Sequence, residues 1–251
     1  MRFDFTLIST FLFASAVLAD HSREDRSSQL FDVVEKRTSA ISDSVQVASN
    51  IAGAVLKSIV AYPTYYNVTG VIVVPSILGQ TGDGVSIWVG LDVDPSGTEC
   101  GTTFRVGLIC TMDSSGPLYT VAGQWLFEKT TYFTNVEVSA LDVVQVTIGV
   151  SSDRTTGYAT VENLTKKSIQ TVQFNVINPL CLQSAGWIVE KMDNRTLANF
   201  TFVLFASPTA YSDKELNAGG SLVYDITRED GQALTVVQAY GDMIAVTQNY
   251  V

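Results

Sequence analysis

Hydrolytic chemistry needs a base, a nucleophile or a metal, and this chain restricts all three. Its single histidine, His21, falls in the N-terminal leader. Ser-His-Asp and Cys-His triads and histidine-built zinc sites are therefore excluded from the rest of the chain. Gly79-Gln80-Thr81-Gly82-Asp83-Gly84 has glycines like a phosphate loop but lacks its Lys and following helix, so it reads as a turn. Carboxylate chemistry remains. Asp92 and Glu190 each close a short apolar segment, Ile87–Leu91 and Ala185–Val189, and are the one pair to nominate for two-carboxylate glycoside hydrolysis.

The segments that must position these groups read as strands. Val68–Val74, Val85–Leu91, Val143–Val150, Tyr158–Val161, Ile169–Phe174, Phe200–Phe205, Ser221–Ile226 and Leu234–Ala239 are short and rich in β-branched residues, with Gly, Pro, Asn or Asp between them. Residues 38–60 have the Ala and Leu content of a helix, but Asn50–Gly53 and Val55–Val60 make a terminal strand at least as well founded. Side chains alternate with a period of two along a strand. Gly186, Ile188 and Glu190 then share one face, with Trp187 and Val189 on the other; Trp88, Gly90 and Asp92 likewise share a face. The expectation from these segments is an all-β chain with the strand spacing of a β-sandwich.

The ends and the composition bear on compartment. Arg2, an apolar run from Phe5 to Leu18 and small residues at Ala14, Ala16 and Ala19 have the order of a secretory signal peptide, assigned to residues 1–19. No segment reaches the ~20 apolar residues of a membrane helix. Residues 20–37 form a short polar pro-segment ending at the dibasic Lys36-Arg37, which leaves 38–251 as one domain. The expected location is secreted and extracellular, with no membrane association in the mature form. Asn67, Asn163, Asn194 and Asn199 each open an Asn-x-Thr glycosylation sequon, and those loops should face solvent. Removing residues 1–37 leaves ten basic and nineteen acidic residues, a net charge of −9. Such a surface repels nucleic acid. Three cysteines imply one disulfide and one thiol left over, with three pairings open.

Several blocks, in order, resemble one known family. Ser49-Asn50-Ile51-Ala52-Gly53-Ala54-Val55-Leu56, Val71–Ser76, Ile87-Trp88-Val89-Gly90-Leu91-Asp92, Thr155–Thr165 and Ala185-Gly186-Trp187-Ile188-Val189-Glu190 are similar to segments of the fungal glutamic peptidases, or eqolisins. The resemblance implies an all-β, antiparallel two-sheet β-sandwich of concanavalin-like or jelly-roll type, a Cys100–Cys181 disulfide with Cys110 unpaired, and a protein or peptide substrate; a monomer with no cofactor or metal is expected. It also implies acid hydrolysis of peptide bonds by one glutamate, as general base, and one glutamine that donates to the oxyanion.

Glu190 takes the glutamate's position, and Trp88 and Asp92 match residues of the substrate cleft. The glutamine has no counterpart. Aligning on Gly107 puts Arg105 there; aligning on Cys100 puts Val106 there. The family's N-terminal cleft tryptophan becomes Ile51, an aspartate becomes Thr120, and two glutamates become Gln124 and Gly186. Three readings follow. In the first, the chain is an endopeptidase with Glu190 as base and either Gln124 as substitute amide or Arg105 as an always-charged donor. In the second, Arg105 and Glu190 form an ion pair in a catalytically silent relative that binds peptides or cell-wall polymers through Trp88 and Tyr119. In the third, only the scaffold is used, in a structural surface protein.

Overall fold

Alternation of apolar and polar residues dominates the chain because each sheet has one face to bury against the other. The computed structural model describes residues 45–58, 64–95, 101–126, 129–175 and 178–249. The signal peptide, the pro-segment, Lys36-Arg37 and Cys100 lie outside the described residues. Among those described, all regular structure is strand.

The first sheet contains β1 (Val45–Ala48), β2 (Ile51–Lys57), β4 (Gly84–Leu91), β5 (Phe104–Asp113), β6 (Gly116–Trp125), β7 (Thr131–Tyr132), β11 (Ser184–Glu190) and β14 (Leu222–Ile226). Their lateral order is β1-β14-β2-β11-β4-β5-β6-β7. The second contains β3 (Asn67–Val73), β8 (Val143–Val150), β9 (Thr156–Asn163), β10 (Ser168–Asn175), β12 (Phe202–Tyr211), β13 (Glu215–Asn217), β15 (Thr235–Ala239) and β16 (Met243–Gln248). Its order is β10-β9-β8-β3-β12-β16-β15, with β13 on the end of β12. Among the described residues every strand-to-strand pairing is antiparallel except β1 with β14, which run parallel at the sheet edge, and one isolated bridge, Gly84 with Leu197, is also parallel. Val45–Ala48 and Ile51–Lys57 are strands, so the described part of the 38–60 segment is strand rather than helix, and 38–44, 59 and 60 lie outside the described residues.

The core lies between the sheets. Trp187 and Val189 point into it from β11, beside Ile72, Val146 and Phe205 of the second sheet. Trp187 crosses the interface: its Nε1 donates to the Thr69 carbonyl at 2.8 Å, and its ring covers Gly70, where a Cβ would come within 2.8 Å. Phe104 and Trp125 stack at 4.7 Å on the same side. Cys110 is a buried free thiol in this core, and Cys181 is disulfide-bonded.

One sequon is corrected. Asn163 is fully buried, its amide donating to the Glu137 carbonyl and to Asp142 Oδ2, both at 2.8 Å. Its Oδ1 accepts from the backbone N–H groups of Thr165 and Lys166. An oligosaccharide cannot be attached there in the folded chain. Asn194 is exposed, and Asn67 and Asn199 are partly buried.

Candidate active site

The opposite face of the first sheet carries the candidate chemistry. Cross-strand pairing places Tyr132, Ala122, Gly107, Trp88, Ile188, Gly53 and Tyr224 in one row from β7 to β14. Trp88, Ile188 and Tyr224 pack there with Val55, Val93 and Ala122 as a second, smaller apolar cluster. Glu190 lies to one side of this row, opposite Ile51 and Ser86. Arg105 lies to the other side, opposite Gly90 and Gln124. Of the two residues the sequence left open, Arg105 faces this cleft and Val106 is buried in the inter-sheet core.

Arg105 and Glu190 are separated by one intervening strand and by the Trp88 row, and the guanidinium crosses that gap by lying on the indole. Its Cζ is 4.8 Å from the Trp88 ring centroid, a cation–π arrangement. Arg105 Nη1 donates to Glu190 Oε1 at 2.9 Å, and Trp88 Nε1 donates to Glu190 Oε2 at 2.8 Å. Arg105 Nε donates to Gln124 Oε1 at 3.0 Å, and Gln124 Nε2 donates to Thr130 Oγ1 at 3.0 Å. Gln124 therefore orients Arg105 rather than replacing the missing amide. Thr103, Leu126 and these polar residues line a cavity of about 180 Å³ over the pair, whose side chains stay 20% and 16% exposed.

Chemical capacity remains on both partners. A carboxylate offers about four lone-pair positions and a guanidinium five N–H donors. Two of the former are used within the protein, and two of the latter. A water on Glu190 and an oxygen acceptor on Arg105 can be held while the ion pair persists.

Two cleft assignments are overturned. Asp92 adopts a left-handed backbone conformation (φ 54°) just past β4 and turns its carboxylate away from the cleft. Oδ2 accepts from Leu182 N at 2.8 Å, and Oδ1 from Gln183 N and Ser184 N at 2.8 and 3.3 Å. It is 2% exposed, and burial raises its pKa despite those bonds. Asp92 ties down the start of β11 and is closed to substrate, which also removes the two-carboxylate glycosidase pair. Tyr119 faces the inter-sheet core because it lies an odd number of residues from Gln124 on β6. Its hydroxyl accepts from Ile77 N at 3.3 Å.

Val93 was missed by the sequence. It packs on Gly90 and Gly186, where added Cβ atoms would come within 2.5 and 2.6 Å of its methyls. The loop beyond is fastened by Asp94, which pairs with Lys57 Nζ at 2.6 Å and accepts from the Tyr224 hydroxyl at 3.0 Å. An apolar side chain thus fills the floor over Gly90 and Gly186. Only an apolar residue after Asp92, coupled with glycine at 186, hinted at this.

Among solved structures, scytalido-glutamic peptidase with a transition state analog inhibitor is 23% identical, with a TM-score of 0.71 over 81% of this chain and 100% of that one. SCP-B, an eqolisin in complex with the tripeptide Ala-Ile-His, is 22% identical, with a TM-score of 0.67 over 81% and 100%. Aspergilloglutamic peptidase from Aspergillus niger is 29% identical, with a TM-score of 0.60 over 66% and 99%. No curated protein sequence matches significantly. Residues 49–248 match the Peptidase A4 family across nearly the whole sandwich, and the chain belongs to that family.

Proposed function

We propose that the chain is a secreted acid endopeptidase in which Glu190 is the general base and Arg105 supplies the oxyanion donor. The carrying observation is the 2.9 Å Arg105–Glu190 contact at the mouth of an open cleft, with lone pairs and N–H donors to spare. Water held by Glu190 loses a proton to the carboxylate as its oxygen attacks the scissile carbonyl carbon. The carbonyl oxygen gains charge and is stabilised by the unused N–H groups of Arg105. Glu190 then returns the proton to the departing amide nitrogen as the C–N bond breaks. A donor aimed at the oxyanion contributes about 3–4 kcal/mol to lowering the barrier, and a positioned base 10²–10⁴-fold in rate, as orders of magnitude. Gln124 and Thr130 position the guanidinium, and Trp88 positions both partners. Support comes from family membership and from structural relatives that bind a transition state analog or a tripeptide.

A second reading has its own observation: both Glu190 oxygens already accept bonds within the protein. In that reading the ion pair closes a silent site, and the cleft binds peptides or polymers without cleaving them. The test is cleavage of denatured protein at acid pH by the secreted chain and by Glu190→Gln, Arg105→Ala and Arg105→Gln variants. Endopeptidase chemistry predicts cleavage by the wild type, its loss in Glu190→Gln and about a hundredfold fall in Arg105→Ala. No cleavage by folded wild type, with peptide binding retained, establishes the silent reading.

A further inference from the structure

The outer face of the second sheet, remote from the cleft, carries five threonines in one lateral row. Register sets Thr171 beside Thr160, Thr160 beside Thr147, Thr147 beside Thr69, and Thr69 beside Thr209, across β10, β9, β8, β3 and β12. At ~4.8 Å between strands the row is about 19 Å long. Thr69 donates its hydroxyl hydrogen to the Val146 carbonyl at 2.9 Å, so the 3.0 Å contact between Thr69 and Thr147 is donated by Thr147. The hydroxyls are held in place by the sheet.

The adjacent row reads Tyr158, Gly149, Asn67, Tyr211. A Cβ on Gly149 would come within 2.3 Å of Tyr158 Cζ. Glycine there lets the tyrosine ring lie across β8, with its hydroxyl accepting from Asn67 Nδ2 at 3.2 Å. Tyr158 and Tyr211 are 45% and 36% exposed and flank a groove of about 430 Å³ lined by Asn67, Thr69, Gln145, Thr147 and Tyr211. The Gln145 amide bonds to no other group among the described residues. No lining residue is charged, and the neighbouring charges in register are carboxylates, Glu162 beside Gln145 and Glu215 beside Tyr211. On a chain of net charge −10, an uncharged groove of amides, hydroxyls and aromatic rings disfavours anionic polymers and matches uncharged sugars.

We propose that this face binds a neutral polysaccharide chain, with sugar rings on Tyr158 and Tyr211 and sugar hydroxyls on Asn67, Gln145 and Thr147. The site is independent of Glu190 and of whether the cleft cleaves anything. It would hold the protein on a glycan matrix while the opposite sheet faces away.

The test is equilibrium retention of the secreted full-length protein on insoluble chitin, cellulose and β-1,3-glucan, before and after enzymatic removal of N-glycans. Saturable retention on at least one polymer is expected. Tyr158→Ala should weaken it about tenfold, the size of one lost aromatic contact. Thr147→Val, which keeps shape and removes a hydroxyl, should weaken it several-fold, and Glu190→Gln should leave it unchanged. No retention on any of the three overturns the proposal, as does equal retention by wild type and folded Tyr158→Ala. Loss in Glu190→Gln would place the polymer in the cleft instead and also overturn it. Retention that appears only after a glycan is removed from Asn67 would make the protein's own oligosaccharide the occupant, again against the proposal.

Discussion

Asp225 ties the stability of this fold to pH. It sits on β14 of the first sheet, 8% exposed, and its Oδ1 accepts from Thr235 Oγ1 of β15 in the second sheet at 3.0 Å. Thr235 Oγ1 in turn accepts from Ile226 N at 2.9 Å. Burial raises the Asp225 pKa from 3.8 to about 6, outweighing the bonds from Thr235 and Val237. The folded state therefore holds this proton more tightly than the unfolded chain does. Its contribution to stability is fully present below pH 3.8 and is lost as pH rises through about 6. A shift from 3.8 to about 6, at 1.36 kcal/mol for each pH unit, makes the loss at pH 7 about 3 kcal/mol. Asp225→Asn keeps a carbonyl for Thr235 and cannot ionise. Urea unfolding of wild type and variant at pH 3 and pH 7 gives four free energies. The change from pH 3 to pH 7 should be about 3 kcal/mol more favourable in the variant, whatever constant offset the new amide introduces. Because other carboxylates titrate equally in both proteins, the double difference isolates this group. Equal pH dependence in the two proteins would refute the reasoning.

Asp92→Ala leaves three backbone N–H groups at the start of β11 without their acceptor and should cost about 3 kcal/mol in chemical denaturation. Gln124→Leu removes the acceptor that holds Arg105 Nε; kcat on denatured protein should fall about tenfold with KM little changed, and Gln124→Glu should restore part of the loss. Peptide mapping by mass spectrometry should find Asn163 unmodified and Asn194 modified in the secreted protein, since Asn163 spends both ends of its amide inside the fold. Asp142 is drawn upward by burial, but Asn163, Ser139 N and Lys166 outweigh that and hold its pKa below the usual value. Its stabilisation is present above the unfolded carboxyl's pKa and is lost as pH falls through the lower folded value, opposite in sign to Asp225. In unfolding experiments, Asp142→Asn should therefore lose less stability between pH 5 and pH 2 than the wild type.

Legibility from sequence followed the period of two. The eight predicted strands all overlap observed ones, because each carries β-branched residues between turn formers. The hairpin of β5 and β6 escaped that reading, since glycines, a cysteine and charged or amide side chains break its apolar rhythm. Those departures are where the site is built: Arg105, Gly107, Ala122 and Gln124 face the cleft. Period two also contained the correction of Tyr119, whose odd offset from Gln124 puts it in the core once β6 is recognised as one uninterrupted strand. Asp92 could not be placed that way, because alternation ends where the backbone enters a positive φ.

What no strand pattern could supply is the distance over which Arg105 acts. Arg105 and Glu190 lie on strands separated by β4 and are not opposite each other in any register. Their meeting depends on the length of the guanidinium side chain and on the Trp88 ring as a bearing surface. The rest of the floor changes consistently with this, since Val93 occupies the space over Gly90 and Gly186, and Ile51 packs opposite Glu190. Among the described residues, Arg105 and Trp88 are the two donors to Glu190. The cleft face is thus organised around one cation, Arg105, lying on Trp88 and paired with Glu190. Arg105→Gln removes the charge and the contact to Glu190 Oε1, and should behave like Arg105→Ala; full activity in Arg105→Gln would show that the cation is dispensable.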